Sequence, residues 1–186
     1  EIAGIKDVII SATGYTGSGG FELYVKNKGA EKLWEEIMKA GESFSVLPAG
    51  LAARDTLRLE MGYCLYGNDI DDTTSPIAAG LGWVTKFTKS FIGDQLLKEQ
   101  KENGSCQKLV AFQLLERGIP RKDYLIVDEN QNEIGIVTSG TMGPSVQKAI
   151  GLGYVNKENS AVGGKIYLAI RNKTIPAEIV KLPFYK

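Results

Sequence analysis

The chain has 186 residues, 43% hydrophobic and 24% charged, the balance of a globular protein with room for one large domain or two small ones. Lys plus Arg and Asp plus Glu both number 22, so no global basic excess points to nucleic acid, and no apolar run approaches the roughly 18 residues that a membrane helix requires. The absence of histidine removes the commonest general base and metal ligand.

Cys64 and Cys106 lack ligand-type spacing and read as free thiols of a cytoplasmic protein. With no secretory signal in view, Asn103-Gly-Ser105 and Asn172-Lys-Thr174 are taken as chance matches to the glycosylation pattern. The chain opens at Glu1 without a Met and reaches a strand-like run by Val8, so it reads as a piece of something longer.

In chain order, Val8 to Ile10 and Phe21 to Val25 predict two strands of a hairpin around the glycine-rich "ATGYTGSGG". In the second strand Phe21, Leu23 and Val25 share one face, and Glu22 and Tyr24 share the other. A strand, where a phosphate loop needs a helix, follows this loop, and no Lys-Ser/Thr pair closes it. Gly14, Gly17, Gly19 and Gly20 therefore read as turn residues, not as a phosphate loop. Asn27 is placed to cap a helix whose residues Ala30, Leu33, Trp34, Ile37 and Met38 form an apolar stripe ending near Gly41. Pro48 opens a second helix that runs to about Met61.

Residues 72–90 are irregular, with a short strand predicted at Trp83-Val84-Thr85, and Phe91 to Glu102 predicts a helix that ends in the linker "ENGS". Beyond it the texture changes. Leu109–Phe112, Tyr124–Val127, Glu133–Val137, Ile150–Val155, Lys165–Ile170 and Ala177–Lys181 are short strands with turn residues between them, the pattern of a small barrel or sandwich. The expected class is α+β: an α/β sandwich portion over residues 1–104, then a small antiparallel β-barrel over 105–186.

The second helix carries Arg54, Asp55, Arg58 and Glu60 among Ala, Leu and Met. Either these charges form an internal ion network, because an unpaired buried guanidinium costs several kcal/mol, or they face a polar cavity that holds a ligand. Glu22 is either a solvated strand residue or a carboxylate that accepts hydrogen bonds from the amino edge of a heterocycle. Tyr63 and Tyr66 either pack or stack on a planar ligand. Asp69, Asp71 and Asp72 lack the spacing of a calcium loop, and no metal site is expected.

Taken together, "GYTGSGGFEL", "AGLAARDTLRLEMGYCLYGNDID", "SPIAAGLGW" and "IGIVTSGTMGPSVQKAIGLGYV" resemble, in order and from about Val8 onward, the T-protein of the glycine cleavage system, an aminomethyltransferase. Such proteins are about twice this long, and their catalytic aspartate lies in the N-terminal half. The resemblance therefore implies a C-terminal half, probing the chemistry of which needs the rest of the protein. It implies transfer of the methylene of a lipoyl-bound aminomethyl group from the H-protein to tetrahydrofolate, with release of ammonia. It places Glu22 of "GFEL" on the pterin's amino edge, Arg54 of "AARD" as a second folate contact, and Tyr15 of "GYTG" and Tyr63 of "MGYC" on the cavity wall. The chain departs from the family at Ser18 and Gly19, where acidic residues are usual. It lacks the "KGCYxGQE" motif of related folate proteins of iron–sulfur assembly. The folate domain of a dimethylglycine or sarcosine oxidase shares much of this pattern and is the enzymatic alternative. A folate-binding module without chemistry is the other. Lys86, Lys89, Lys98 and Lys101 either attract an acidic carrier or form a solvated face.

Overall fold

A computed structural model describes all of residues 1–186. The chain divides into two compact units, Glu1–Leu57 and Arg58–Lys186. No helix is long and apolar enough to cross a membrane.

The first unit contains a two-stranded antiparallel sheet, β1 (Ile9–Ser11) and β2 (Glu22–Tyr24), in which Ser11 pairs with Glu22 and Ile9 with Tyr24. Helix α1 (Asn27–Gly41) follows. A Cβ on Gly29 would lie 3.0 Å from Ile5 Cγ2 and 3.1 Å from Val25 Cγ2, so the missing side chain lets α1 approach these residues closely. Two details differ from expectation. Lys26, not Asn27, occupies the cap position, and no side chain caps the helix. Of the predicted stripe only Leu33 is buried, while Trp34 remains 55% exposed. Two three-residue strands offer too little surface to cover a four-turn helix. A turn of 3-10 helix (Glu42–Phe44) ends with Ser45 in the left-handed region. Helix α2 (Leu51–Glu60) begins three residues after Pro48 and runs continuously past the boundary between the units.

In the second unit, the strand predicted at Trp83-Val84-Thr85 is a turn. The Val84 amide and the Thr85 hydroxyl both donate to the Leu81 carbonyl, which curls the backbone back on itself. Helix α3 (Asp94–Asn103) starts after Gly93, whose φ of 84° lies in the left-handed region. Six strands then close a barrel: β3 (Gln107–Leu114), β4 (Leu125–Val127), β5 (Glu133–Gly143), β6 (Lys148–Asn156), β7 (Lys165–Ile170) and β8 (Lys173–Val180), in the order β3-β6-β5-β4-β7-β8. Every neighbouring pair is antiparallel, and the pairing of β3 with β8 completes the ring and removes the free edges.

The barrel interior holds Val110, Phe112, Ile126, Val137, Val155, Ile166, Leu168 and Ile179, all buried. Period-2 alternation puts Ile175, Ala177 and Ile179 of β8 inside. The sheet is also covered on its outer side at β3 and β6, where Ala111, Ile150 and Leu152 pack with Leu59 of α2 and with Phe184 of the tail. Strand β6 is thus buried on both faces, and Gly151 and Gly153 are what its inner face allows. A Cβ there would stand 2.5 Å from Phe112 Cζ and 2.7 Å from Ile126 Cδ1 respectively. These two glycines leave space for two large side chains at the barrel axis.

Candidate functional site

The four charges of α2 separate by height along the helix. Arg54 and Asp55 are exposed, whereas Arg58 and Glu60, in the last turn, are 1% and 2% exposed. The internal-network reading therefore holds for Arg58, while Arg54 and Asp55 lie at the surface.

The upper, exposed level belongs to the first unit. The Arg54 guanidinium lies over the Tyr15 ring, 4.4 Å from its centroid. A cation over an aromatic face contributes roughly 0.5–1 kcal/mol when exposed, and it restrains a planar group with five donors. Tyr15 reaches this position from the loop between β1 and β2, where Gly17, at φ 75°, is the one loop glycine in a left-handed conformation. Glu22 opens β2. Its carboxylate accepts a hydrogen bond from the Thr13 hydroxyl, which also stands 2.9 Å from Ser11 Oγ. Glu22 is exposed, so a ligand reaches its second oxygen without desolvating a buried charge. Of the expected site residues the structure thus joins Tyr15 to Arg54 and pairs Glu22 with Thr13.

The lower level belongs to the second unit. Arg58 Nη1 donates to Asp69 Oδ2 at 2.8 Å and to the Tyr63 carbonyl at 3.1 Å, and Nη2 donates to Ser139 Oγ at 2.9 Å. Asp69 Oδ2 also accepts from the Leu65 amide at 2.8 Å and the Ser139 hydroxyl at 2.9 Å, while Oδ1 accepts from Thr138. The Tyr154 hydroxyl donates to the Asp69 carbonyl at 2.9 Å. The Glu60 carboxylate accepts the amides of Ser145 (2.7 Å) and Val146 (3.2 Å), and its carbonyl accepts those of Phe184 and Tyr185. No buried side-chain polar atom lacks a partner, which is what makes a buried ion pair tolerable. Tyr63, the fourth expected residue, follows this helix end and is 38% exposed.

Sequence reasoning missed Ser139, Thr138 and Tyr154, and it considered Asp69 only as a calcium-loop acid. The one local signal was the acid-rich loop after α2; the partners lie far along the chain. Cys64 sits beside this network. Burial pushes its thiol up to about 11, with the Asp69 charge adding to the shift and Arg58 opposing it. Burial first, then the surrounding negative groups, raise the Tyr154 phenol as well. Asp71 lies outside the network; hydrogen bonds from Thr73 and Thr74 hold its carboxyl below the usual range. No group of three or more His, Cys, Asp or Glu side chains is arranged to hold a metal. A cavity of about 410 Å³ is lined by Val146, Ile150, Val180 and Phe184 together with Lys148, Lys181 and Lys186.

Comparison with known proteins matches two successive parts of the chain. The family model described as the GCVT N-terminal domain matches residues 1–89, and that of the glycine cleavage T-protein C-terminal barrel domain matches 107–186. An aminomethyltransferase of Flavobacterium psychrophilum is 62% identical over 186 residues, covering 100% of this chain and 52% of its own. One from Bacteroides thetaiotaomicron is 54% identical over 188 residues, with the same coverage of 100% and 52%. The crystal structure of glycine cleavage system aminomethyltransferase T from Bartonella henselae superposes with a TM-score of 0.89 at 36% identity, over 96% of this chain and 50% of that one. The chain spans about half the length of the curated relatives it matches.

Proposed function

The chain belongs to the glycine cleavage T-protein family, and we propose that it supplies the folate-holding part of a tetrahydrofolate-dependent aminomethyltransferase. In this reading residues 1–104 complete the folate-binding domain and 105–186 form the barrel domain. The whole protein takes the aminomethyl group from the lipoyl arm of the H-protein, passes its methylene to tetrahydrofolate and releases ammonia. When bound, tetrahydrofolate supplies the acceptor for the methylene.

The observation that carries the reading is the Arg54–Tyr15 stack. It holds an exposed cationic donor over a half-buried aromatic ring in the unit whose hairpin carries Glu22. A carboxylate with a free oxygen accepts the paired N–H groups of an aminopterin edge, and an oriented guanidinium holds a carbonyl or carboxylate. Tyr15 supplies a flat apolar wall for a ring, and Tyr63 joins the set by motif resemblance alone. The residues therefore fit a pterin, and their task is to bind and orient it. In this reading the set binds and orients, and proton transfer falls to the aspartate that the resemblance places in the other half.

The test is calorimetric titration of tetrahydrofolate into the full-length protein and its Glu22→Ala and Arg54→Ala variants. Each substitution weakens binding by about 1–3 kcal/mol, the range for a lost charge-assisted hydrogen bond, with little change in melting temperature. Unchanged affinity in both variants overturns the reading. In the same reading the 186-residue chain alone releases no ammonia above background from an aminomethylated carrier and tetrahydrofolate.

A further inference from the structure

We propose that Arg58 is a positioning residue for Tyr63: the buried Arg58–Asp69 pair fixes the backbone of the loop after α2 so that the Tyr63 ring is presented to the folate. The inference rests on the reading above that Tyr63 lines the folate site.

One residue holds both polar backbone groups of Tyr63. Its amide donates to the Arg58 carbonyl at 2.8 Å, and its carbonyl accepts from Arg58 Nη1 at 3.1 Å. Between them the chain reverses at Gly62, whose φ of 74° lies in the left-handed region and whose amide bonds the Leu59 carbonyl at 2.8 Å. A Cβ at Gly62 would push against the Leu182 side chain, and the left-handed backbone itself disfavours any other residue at this turn.

Arg58 is in turn immobilised. It is 1% exposed, and its guanidinium meets three acceptors from three places: Tyr63 O, Asp69 Oδ2 and Ser139 Oγ. Asp69 closes the loop from its far end, since the oxygen that accepts from Arg58 also accepts the Leu65 amide. The barrel contributes through an irregularity. Strand β5 shifts register between Val137 and Ser139, Val137 facing Gly153 and Ser139 facing Leu152, so Thr138 is an extra residue. Successive strand residues normally point to opposite faces; here the bulge lets the hydroxyls of both Thr138 and Ser139 reach the one carboxylate of Asp69. The result is a backbone held at both of its polar groups under a side chain that stays 38% exposed. That combination suits an accessible ring whose direction matters.

A network that only stabilised the fold would raise the melting temperature without caring about Tyr63. A double-mutant cycle in the full-length protein separates the two roles. Arg58→Lys keeps a charge for Asp69, but one ammonium nitrogen cannot stand where both Nη1 and Nη2 stand, so it cannot serve both arms of the fork in the same geometry. We expect it to weaken tetrahydrofolate binding and raise KM roughly tenfold, about one hydrogen bond from a charged donor, with kcat changed less. In a Tyr63→Ala background the same substitution should change affinity little, because the group it positions is gone. Equal effects of Arg58→Lys with and without the Tyr63 ring overturn the proposal, as does an Arg58→Lys protein that binds tetrahydrofolate like the parent.

Should Arg58→Lys fail to fold, Ser139→Ala carries the same cycle, because it spares the Arg58–Asp69 ion pair and the Tyr63 contact while loosening the guanidinium's second arm. Two singles tell this failure from failure of the wider reading. If Tyr63→Ala binds normally while Glu22→Ala does not, the positioning role falls and the folate site stands. If neither of these singles nor Arg54→Ala weakens binding, both fall.

Discussion

In residues 1–57, Ile10, Phe21, Trp34, Phe44, Leu47 and Leu51 all stand exposed, and Leu33 is the one large apolar side chain that is buried. Beyond Arg58, Phe112, Ile126, Leu152, Leu168 and Val155 have no exposed surface at all. The two regions do not differ in having apolar residues at regular intervals. They differ in closure. Six strands that meet at β3 and β8 enclose a volume, and alternation then sorts side chains into it. Two strands of three residues enclose nothing, so the same kind of pattern leaves its apolar face open. Apolar periodicity says which residues share a face, while burial depends on how much opposing surface the topology supplies.

The strongest way to break this comparison is to truncate one buried side chain in each region. Phe112→Ala should cost about 3–5 kcal/mol by urea unfolding, the range for a fully enclosed aromatic. Leu33→Ala should cost less, about 2 kcal/mol or under, because its surroundings are open enough to relax. Equal losses would show that the first region has a core as tight as the barrel. Next in size is surface stickiness. The chain should bind a hydrophobic dye or self-associate by light scattering, and Phe21→Ser with Leu47→Ser should remove most of either signal. A clean monomer without dye binding would mean that the open face is too divided to matter. Hydrogen exchange sharpens the contrast further: amides of β3 and β6 should be the slowest in the chain, and those of β1 and β2 should exchange early.

The smallest effect concerns the two thiols. Cys106 is exposed, while Cys64 is half-buried beside Asp69 with its thiol raised from 9.0 to about 11. An alkylating reagent at pH 8 should label Cys106 first, as judged by peptide mass. Because the folded state holds the Cys64 proton more tightly than the unfolded chain does, unfolding releases it above pH 9. The contribution of this group to stability is complete below pH 9 and fades as pH rises toward about 11. If Cys64 is labelled as fast as Cys106, the loop after α2 opens more readily than its hydrogen bonds indicate.

The barrel was legible because its strands advertise themselves locally: period-2 runs such as Ile175, Ala177 and Ile179, with turn residues at short intervals, need no knowledge of their partners. Helices α1 and α2 were legible for the same reason. Trp83-Val84-Thr85 misled because β-branched and aromatic residues favour strands only where a neighbouring strand exists, and here Leu81 offers a turn instead. Asn27 misled because one residue's difference in the start of α1 takes its side chain out of the cap position. As for the site, motif resemblance brought forward Tyr15, Glu22, Arg54 and Tyr63, but the stacking of Arg54 on Tyr15 joins a loop to a helix and has no local signature. Arg58 was legible as a member of an ion network, but its partners Asp69 and Ser139 lie 11 and 81 residues further on, beyond any helical spacing.

That distance has a consequence for the order in which the protein is made. Arg58 precedes Ser139 by 81 residues, and ribosomes add roughly 5–20 residues per second. During synthesis the guanidinium and the Asp69 carboxylate therefore leave the ribosome several seconds ahead of the hydroxyls that complete their shell, and ahead of the strands that will exclude water from them. For that interval the end of α2 is a wet, provisional structure, and it becomes dry only when β5 and β6 arrive. A nascent chain stalled before Ser139 should carry Arg58 accessible to a guanidine-modifying reagent, and one stalled well past Asn156 should not.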